Sequence, residues 1–229
     1  MNSRLEKISC YIENGSGFAD IGTDHGYLPC VMALRGYKGN IYASDLREGP
    51  LNTAISNAEH FKVSDKIEFL LGDGLELCPK DKLDTIVIAG MGGDNICGIL
   101  DRARWCMDEK YKLILQPMKK AEILRYWLVN KGFYIENEDL VKDGGVVYQL
   151  LTARYGKKTS LSSAELFTGS IELIKENPLY PQMLSVQLSR FRKLVAGLKK
   201  TSLKQYDAKL KLSEEILSEL EEMENEQSM

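Results

Sequence analysis

The chain has little of what metal or thiol chemistry requires. Among its 229 residues are two histidines, His25 and His60, and five cysteines. Cys10, Cys30, Cys78, Cys97 and Cys106 form no C-x-x-C pair. An odd set without such a pair argues against a disulfide frame, and the scarcity of nitrogen and sulfur ligands leaves a metal centre unsupported. These thiols read as small buried side chains in a reducing compartment. No apolar run approaches a membrane span, and the charged opening stretch 1–11 lacks a signal core. No G-x-G-x-x-G occurs, which disfavours a nicotinamide oxidoreductase. Net charge is only −3, so charge summed over the chain does not point to nucleic acid. The absences together predict a cytoplasmic protein with no metal and no membrane; a monomer is the expected working form, although the sequence does not fix the oligomeric state.

What is present centres on Phe18-Ala19-Asp20-Ile21-Gly22-Thr23-Asp24-His25-Gly26-Tyr27-Leu28-Pro29. A short apolar run ends at Asp20, turns through glycines four apart and enters an apolar stretch ending at Leu34. The pattern predicts strand, tight loop and helix, with Pro29 in the first turn, where its missing N–H is not needed. Glycines at the end of a first parallel strand let a ligand approach the backbone. Asp20 would repel a pyrophosphate but suits a cofactor with a cationic end, such as the methionine part of S-adenosylmethionine. The plainer alternative is an ordinary strand-to-helix turn.

Further strands are expected at 41–45, 66–71, 83–89, 111–116, 133–140 and 146–153. Helices are expected at 3–14, 50–61 and 119–131. Alternating strands and helices closed by a strand pair predict an α/β doubly wound, mostly parallel sheet. Asp20, Asp45 and Asp73 then fall at the ends of three successive strands, which line one crevice in such a sheet. Asp45 stands about twenty residues beyond the turn, where a carboxylate can accept ribose hydroxyls. Asp73, between Gly72 and Gly74, could accept from an adenine amine. Each aspartate alone could be a helix cap; three in this arrangement favour an adenosine-containing cofactor.

Asp20 to Pro29, Glu48-Gly49-Pro50, Gly72-Asp73-Gly74-Leu75, Ile88-Ala89-Gly90-Met91-Gly92-Gly93 and Leu115-Gln116-Pro117 together resemble the bacterial tRNA (adenine-22-N1)-methyltransferases. The resemblance covers nearly the whole chain. It implies a class I, Rossmann-like methyltransferase sheet with a helical C-terminal extension, S-adenosylmethionine as cofactor and tRNA as partner. It also implies that Asp20 and Gly22 lie by the methionine, Asp45 by the ribose and Asp73 by the adenine, with Leu46, Gly74 and Gly90 completing the cofactor set. Gly26 stands where the family more often has alanine, a change expected to be neutral, and Asp45 where a longer glutamate is common.

Adenine N1 already carries a lone pair, so no base is needed before attack on a sulfonium methyl. The positive charge that develops on the ring is relieved when the exocyclic amine loses a proton. Asp24 or His25 is placed by the turn to accept it, although His25 also reads as a hydrogen-bonded loop residue. The stretch Ala89 to Gly93 offers no side-chain amide or carboxylate to grip that amine, leaving backbone groups of Gly92 and the Met91 thioether to shape the pocket. Tyr27 could stack on a base taken out of its helix. Met91 and Tyr27 could equally be packing residues.

Beyond Gly156 the strand pattern stops, predicting a methyltransferase domain over 1–156 and a helical, coiled-coil-like tRNA-binding domain over 157–229. Leu184, Leu188, Phe191, Val195 and Leu198 step by four and three, as do Tyr206, Leu210, Ser213, Leu217 and Leu220. This predicts an antiparallel helical hairpin, with Thr201 or Ser202 capping its second helix. Arg190, Arg192, Lys193, Lys199, Lys200 and Lys204 fall in a basic stretch, followed by an acidic tail. They read either as a phosphate-gripping arm or as a solvated charged surface. A non-catalytic RNA-binding protein, or a methyltransferase acting on another RNA base, stays open beside the favoured reading.

Overall fold

Every residue of Gly17–Ile21 is buried, and this strand, β1, lies inside a seven-stranded sheet. The computed structural model describes residues 3–200 and 204–227. Two compact units divide the chain, residues 1–159 and 160–229.

In the first unit β1 is followed by α2 (Tyr27–Leu34), β2 (Asn40–Asp45), α3 (Glu48–His60) and β3 (Glu68–Leu71). Then come β4 (Thr85–Gly92), α4 (Gly93–Arg102), β5 (Lys112–Lys119), α5 (Ala121–Asn130), β6 (Phe133–Asp143) and β7 (Val146–Tyr155). The strand order is β3-β2-β1-β4-β5-β7-β6, with β7 antiparallel to both neighbours. The order reverses between β1 and β4, so the crevice of this sheet opens there.

Alternation along buried strands sorts the core into two layers. Ala19, Ile21, Ile86, Ile88, Leu113 and Leu115 face α4 and α5 through Leu100, Leu124 and Leu128. Phe18, Ile41, Ala43, Val87 and Ile114 face Ile8, Leu28, Ala33 and Ala58. Between α5 and β6 a fully buried ion pair joins Arg125 Nε to Glu138 Oε1 at 2.6 Å.

Helix α1 (Ser3–Ser9) is shorter than the predicted 3–14. Cys10 and Tyr11 donate to Lys7 and Ile8 carbonyls in tightening turns, and the chain then reaches the Gly15-Ser16-Gly17 break. One face of this segment docks on the β6–β7 pair. Lys7 Nζ lies 2.6 Å from Asp139 Oδ2, Tyr11 donates to the same carboxylate at 2.7 Å, and Arg4 Nε lies 3.6 Å from Asp143. Helix α4 has no counterpart among the predicted helices. Its apolar residues Ile96, Cys97, Ile99 and Leu100 are nevertheless buried at helical spacing.

The second unit holds α6 (Glu165–Thr168), α7 (Ile171–Ile174), α8 (Tyr180–Lys199) and α9 (Asp207–Gln227). Tyr180 Oη meets Met223 Sδ near one end of the α8–α9 pair, and Lys199 Nζ meets Glu214 Oε1 at 2.8 Å near the other. The two helices are therefore antiparallel. Leu184, Leu188, Phe191 and Val195 are buried with Ser213, Ile216, Leu220 and Met223. Of the predicted Tyr206-Leu210-Ser213-Leu217-Leu220 series, Ser213 and Leu220 are buried and Leu210 and Leu217 half-buried, while Tyr206 is exposed and Ile216 and Met223 complete the buried stripe. Thr201 and Ser202, the predicted cap, lie outside the described residues.

Candidate functional site

At the carboxyl ends of β1 to β5 lies a cavity of about 700 Å³, within the size range of small-molecule sites. Gly22, Asp24, Asp45, Leu46, Asp73, Gly74, Gly90 and Met91 all contribute to its wall. Asp20, His25, Tyr27 and Gly92 do not.

The loop after β1 is tied to β2. Gly22 and Thr23 both donate backbone N–H groups to the Ser44 carbonyl, at 2.8 and 2.9 Å. Gly22, Asp24 and Gly26 all have positive φ, at 70°, 53° and 66°. This is a conformation open to glycine and tolerated by aspartate. At Gly26 a Cβ would stand 2.7 Å from Ala54 Cβ on α3. The expectation that alanine is neutral there is therefore corrected: left-handed backbone and close helix approach together call for glycine.

Asp20 is buried beside this loop, and its Oδ2 accepts from Thr23 Oγ1 at 2.7 Å. Burial pushes its carboxyl up to about 6, the Thr23 hydroxyl opposes the shift, and the Asp45 charge adds to it. Asp45 holds two backbone donors, Arg47 N–H on Oδ1 at 3.0 Å and Asp24 N–H on Oδ2 at 3.2 Å. A carboxylate has about four acceptor sites, so capacity remains for hydroxyls on the cavity side. Asp73 Oδ1 accepts from Arg102 Nη2 at 2.7 Å, and among the described residues no hydrogen bond is made to Oδ2. Gly74, with φ 63°, packs under Ile99 of α4.

Strand β4 ends in a bulge. Ala89 pairs with Gln116 and Met91 with Pro117, while Gly90, at φ 78°, drops out of register. Such a bulge re-aims the residue after it. The Met91 Cε comes to lie where a Cβ at position 22 would be. Immediately beyond, Asp94 and Asn95 also line the cavity. Polar side chains are therefore supplied just past the glycines, correcting the inference that backbone and Met91 alone shape this wall. Asp94 is held by Lys120 Nζ at 2.6 Å, which keeps its carboxyl below the usual range.

Asp24 and His25 sit together at the surface, Oδ2 to Nε2 3.3 Å. His25 stacks on Tyr27 with ring centroids 5.6 Å apart, and Tyr27 is 43% exposed. The three arginines of the wall, Arg4, Arg47 and Arg102, had no role in the sequence reading. Gln116, within a motif that was noticed, is fully buried and accepts Gly90 N–H at 3.2 Å and Arg4 Nη1 at 2.8 Å on one oxygen.

In the second unit the basic residues fall into two groups. Arg192 is held by Glu221 at 3.1 Å and Glu224 at 3.2 Å, which raises its pKa further, and Lys199 is held by Glu214. Arg190 lies over the Phe167 and Phe191 rings. Lys193, Lys200 and Lys204 are exposed. Among the described residues no cluster of histidine, cysteine and carboxylate side chains could hold a metal ion, and no helix is long and apolar enough to cross a membrane.

The cavity's acceptor set matches S-adenosylmethionine chemically. Carboxylates from adjacent strand ends suit hydroxyls and an amine, and acidic surroundings suit a sulfonium. Comparison with known proteins points the same way. A family model described as a methyltransferase domain matches residues 1–151. The tRNA (adenine(22)-N(1))-methyltransferase of Bacillus subtilis is 35% identical over 158 residues, 69% of this chain and 66% of that protein. The crystal structure of the B. subtilis m1A22 tRNA methyltransferase TrmK superposes with a TM-score of 0.87 at 29% identity, covering 97% of each chain. That of M. capricolum TrmK, bound to S-adenosylhomocysteine, superposes at 0.79 with 27% identity, again over 97% of both. The chain belongs to the methyltransferase-domain family, as a relative of the tRNA (adenine-22-N1)-methyltransferases.

Proposed function

We propose that this protein transfers a methyl group from S-adenosylmethionine to N1 of an adenine in tRNA, at position 22. The observation that carries the reading is the convergence of Asp45 and Asp73, from adjacent parallel strand ends, on one cavity that the Gly90 bulge opens toward β5. Similarity to the m1A22 enzymes supports the choice of base and position.

When bound, the cofactor supplies an electrophilic methyl on a sulfonium, taken in line by the N1 lone pair, so positioning carries most of the catalysis. Asp45 would hold the ribose by accepting its hydroxyls, and Asp73, whose Oδ1 is held by Arg102, would accept from the cofactor's adenine amine. Asp20 supplies negative charge behind Gly22. Met91 shields the transfer path from water. Asp24, held at the mouth by its own N–H on Asp45, accepts the proton from the acceptor's exocyclic amine, and His25 steadies that carboxylate. Tyr27 and His25 form an exposed stacked pair on which an unstacked base can rest. In residues 160–229, Lys193, Lys200 and Lys204 bind tRNA phosphate. We assign the working form as a cytoplasmic monomer.

The test is labelled-methyl incorporation into unmodified tRNA, followed by mapping of the modified nucleoside. The reading requires 1-methyladenosine at position 22 and no product on a tRNA with guanosine there. Cofactor binding without methyl incorporation would instead favour a non-catalytic RNA-binding protein.

A further inference from the structure

The aspartates assigned to the cofactor stand over β1, β2 and β3. The facing wall, over β4 and β5, is built by Gly90, Met91, Met118 and Arg4. Arg4 comes from α1, and its guanidinium is fixed on several sides. Nη1 donates to Gln116 Oε1 at 2.8 Å and lies 3.0 Å from Met118 Sδ. Nε lies 3.6 Å from Asp143, and the guanidinium carbon sits 4.9 Å from the Tyr148 ring centroid. The side chain is only 20% exposed. Holding so long a side chain still costs about 2 kcal/mol of rotamer entropy. Gln116 could support Gly90 without it. A guanidinium carries five N–H donors, and Nη2 makes no hydrogen bond among the described residues.

We propose that Arg4 is the acceptor-side anion contact of this active site, donating from Nη2 to a phosphate oxygen of the nucleotide being methylated. The inference rests on the function proposed above. A guanidinium pressed against the adenine would oppose the positive charge that forms on the ring after methyl transfer. The anionic part of the acceptor nucleotide is its phosphate, and the planar guanidinium matches phosphate geometry. A nucleotide drawn out of its stack needs its backbone held as well as its base. Arg4 performs that task next to Gly90, to which it is linked through a single Gln116 oxygen. Acceptor backbone and β4 bulge are thereby set by one network.

The experiment compares the full-length wild type with Arg4→Gln and Arg4→Lys on unmodified tRNA across a salt series. Arg4→Gln should lower kcat/KM for tRNA about 10- to 100-fold, as expected for a lost charged hydrogen bond. The slope of log kcat/KM against log salt should become shallower by about 0.7–0.9, the signature of one lost phosphate contact. Arg4→Lys should recover the slope, and cofactor affinity measured by calorimetry should stay within about twofold. An unchanged slope in Arg4→Gln, or a parallel loss of cofactor affinity, overturns the assignment, because support of Gln116 alone would not alter counterion release. Wild-type enzyme on tRNA with neutral methylphosphonate linkages flanking the target adenosine gives the same answer without any protein variant. Undiminished kcat/KM on that substrate also overturns it. If wild type methylates no tRNA, the proposed function fails; methylation with an unaltered salt slope in Arg4→Gln fails the Arg4 assignment alone.

Discussion

Asp45 Oδ2 accepts the backbone N–H of Asp24 at 3.2 Å, across 21 residues of sequence. The carboxylate at the end of β2 therefore positions the residue at the cavity mouth that is assigned to take the proton. Two roles that look separable along the chain are joined by one hydrogen bond.

The Asp45→Ala variant should consequently lose both functions. Cofactor affinity should fall roughly 10- to 100-fold with the lost charged hydrogen bonds, and turnover at saturating cofactor should fall as the Asp24 loop loosens. Asp24→Ala keeps the Asp24 N–H and should leave cofactor affinity within a few-fold. Its turnover should drop by about 10²–10⁴, the range for a lost general base. Calorimetry and single-turnover rates on both variants check the division.

Gly26→Ala should destabilise the first unit. Its φ is 66° and Ala54 stands close on α3. A strained backbone residue of this kind costs about 1–3 kcal/mol. A urea denaturation series should show a lower midpoint with an unchanged slope.

The buried Asp20 carboxyl gives a pH signature. Its folded-state pKa is about 6, raised from 3.8 chiefly by burial. The folded protein thus keeps this proton to higher pH than the unfolded chain does. The stabilisation tied to it is complete below about 4 and is lost as pH rises through about 6. Asp20→Asn, which retains an acceptor for Thr23, should therefore raise stability at pH 7.5 by something on the order of 1–3 kcal/mol. The advantage should shrink toward zero at pH 4.5. Thermal denaturation of both proteins at the two pH values tests the sign, and cofactor affinity should fall in the same variant.

The hairpin cations should separate by experiment as they do in space. Replacing Lys193, Lys200 and Lys204 together by alanine should weaken tRNA binding and flatten its salt dependence, with cofactor affinity untouched. Arg192→Ala should instead loosen the α8–α9 pairing made through Glu221 and Glu224. Its tRNA salt slope should stay near that of wild type. Filter binding across a salt series distinguishes the two.

The sheet was legible because its strands carry their own signal. Buried apolar runs such as Ile86 to Ile88 end at glycines or aspartates, and the loop after β1 shows its turn in Gly22 and Gly26. Strand-end carboxylates were readable for the same reason: in a doubly wound sheet, position along the chain fixes the edge on which a residue emerges. Arg4 was not readable, since it reaches Gln116 across 112 residues and nothing local marks α1 as part of the cavity. Asn95 and Asp94 were missed because α4 begins directly at Gly93, so its first turn belongs to the wall rather than to a loop. On α9 the predicted stripe held at Ser213 and Leu220 but not at Tyr206. Packing against α8 added Ile216 and Met223, which an α-helix places on the same face as Ser213 and Leu220.

Arg125 and Glu138 neutralise one another in a place no water reaches. Removing either partner takes the 2.6 Å contact from the other buried charge and costs about 3–5 kcal/mol, whereas exchanging both for apolar residues can be neutral. Positions 125 and 138 must therefore drift in step. In related chains the two sites should change as a couple or not at all, a covariation that can be sought in sequences without reference to catalysis.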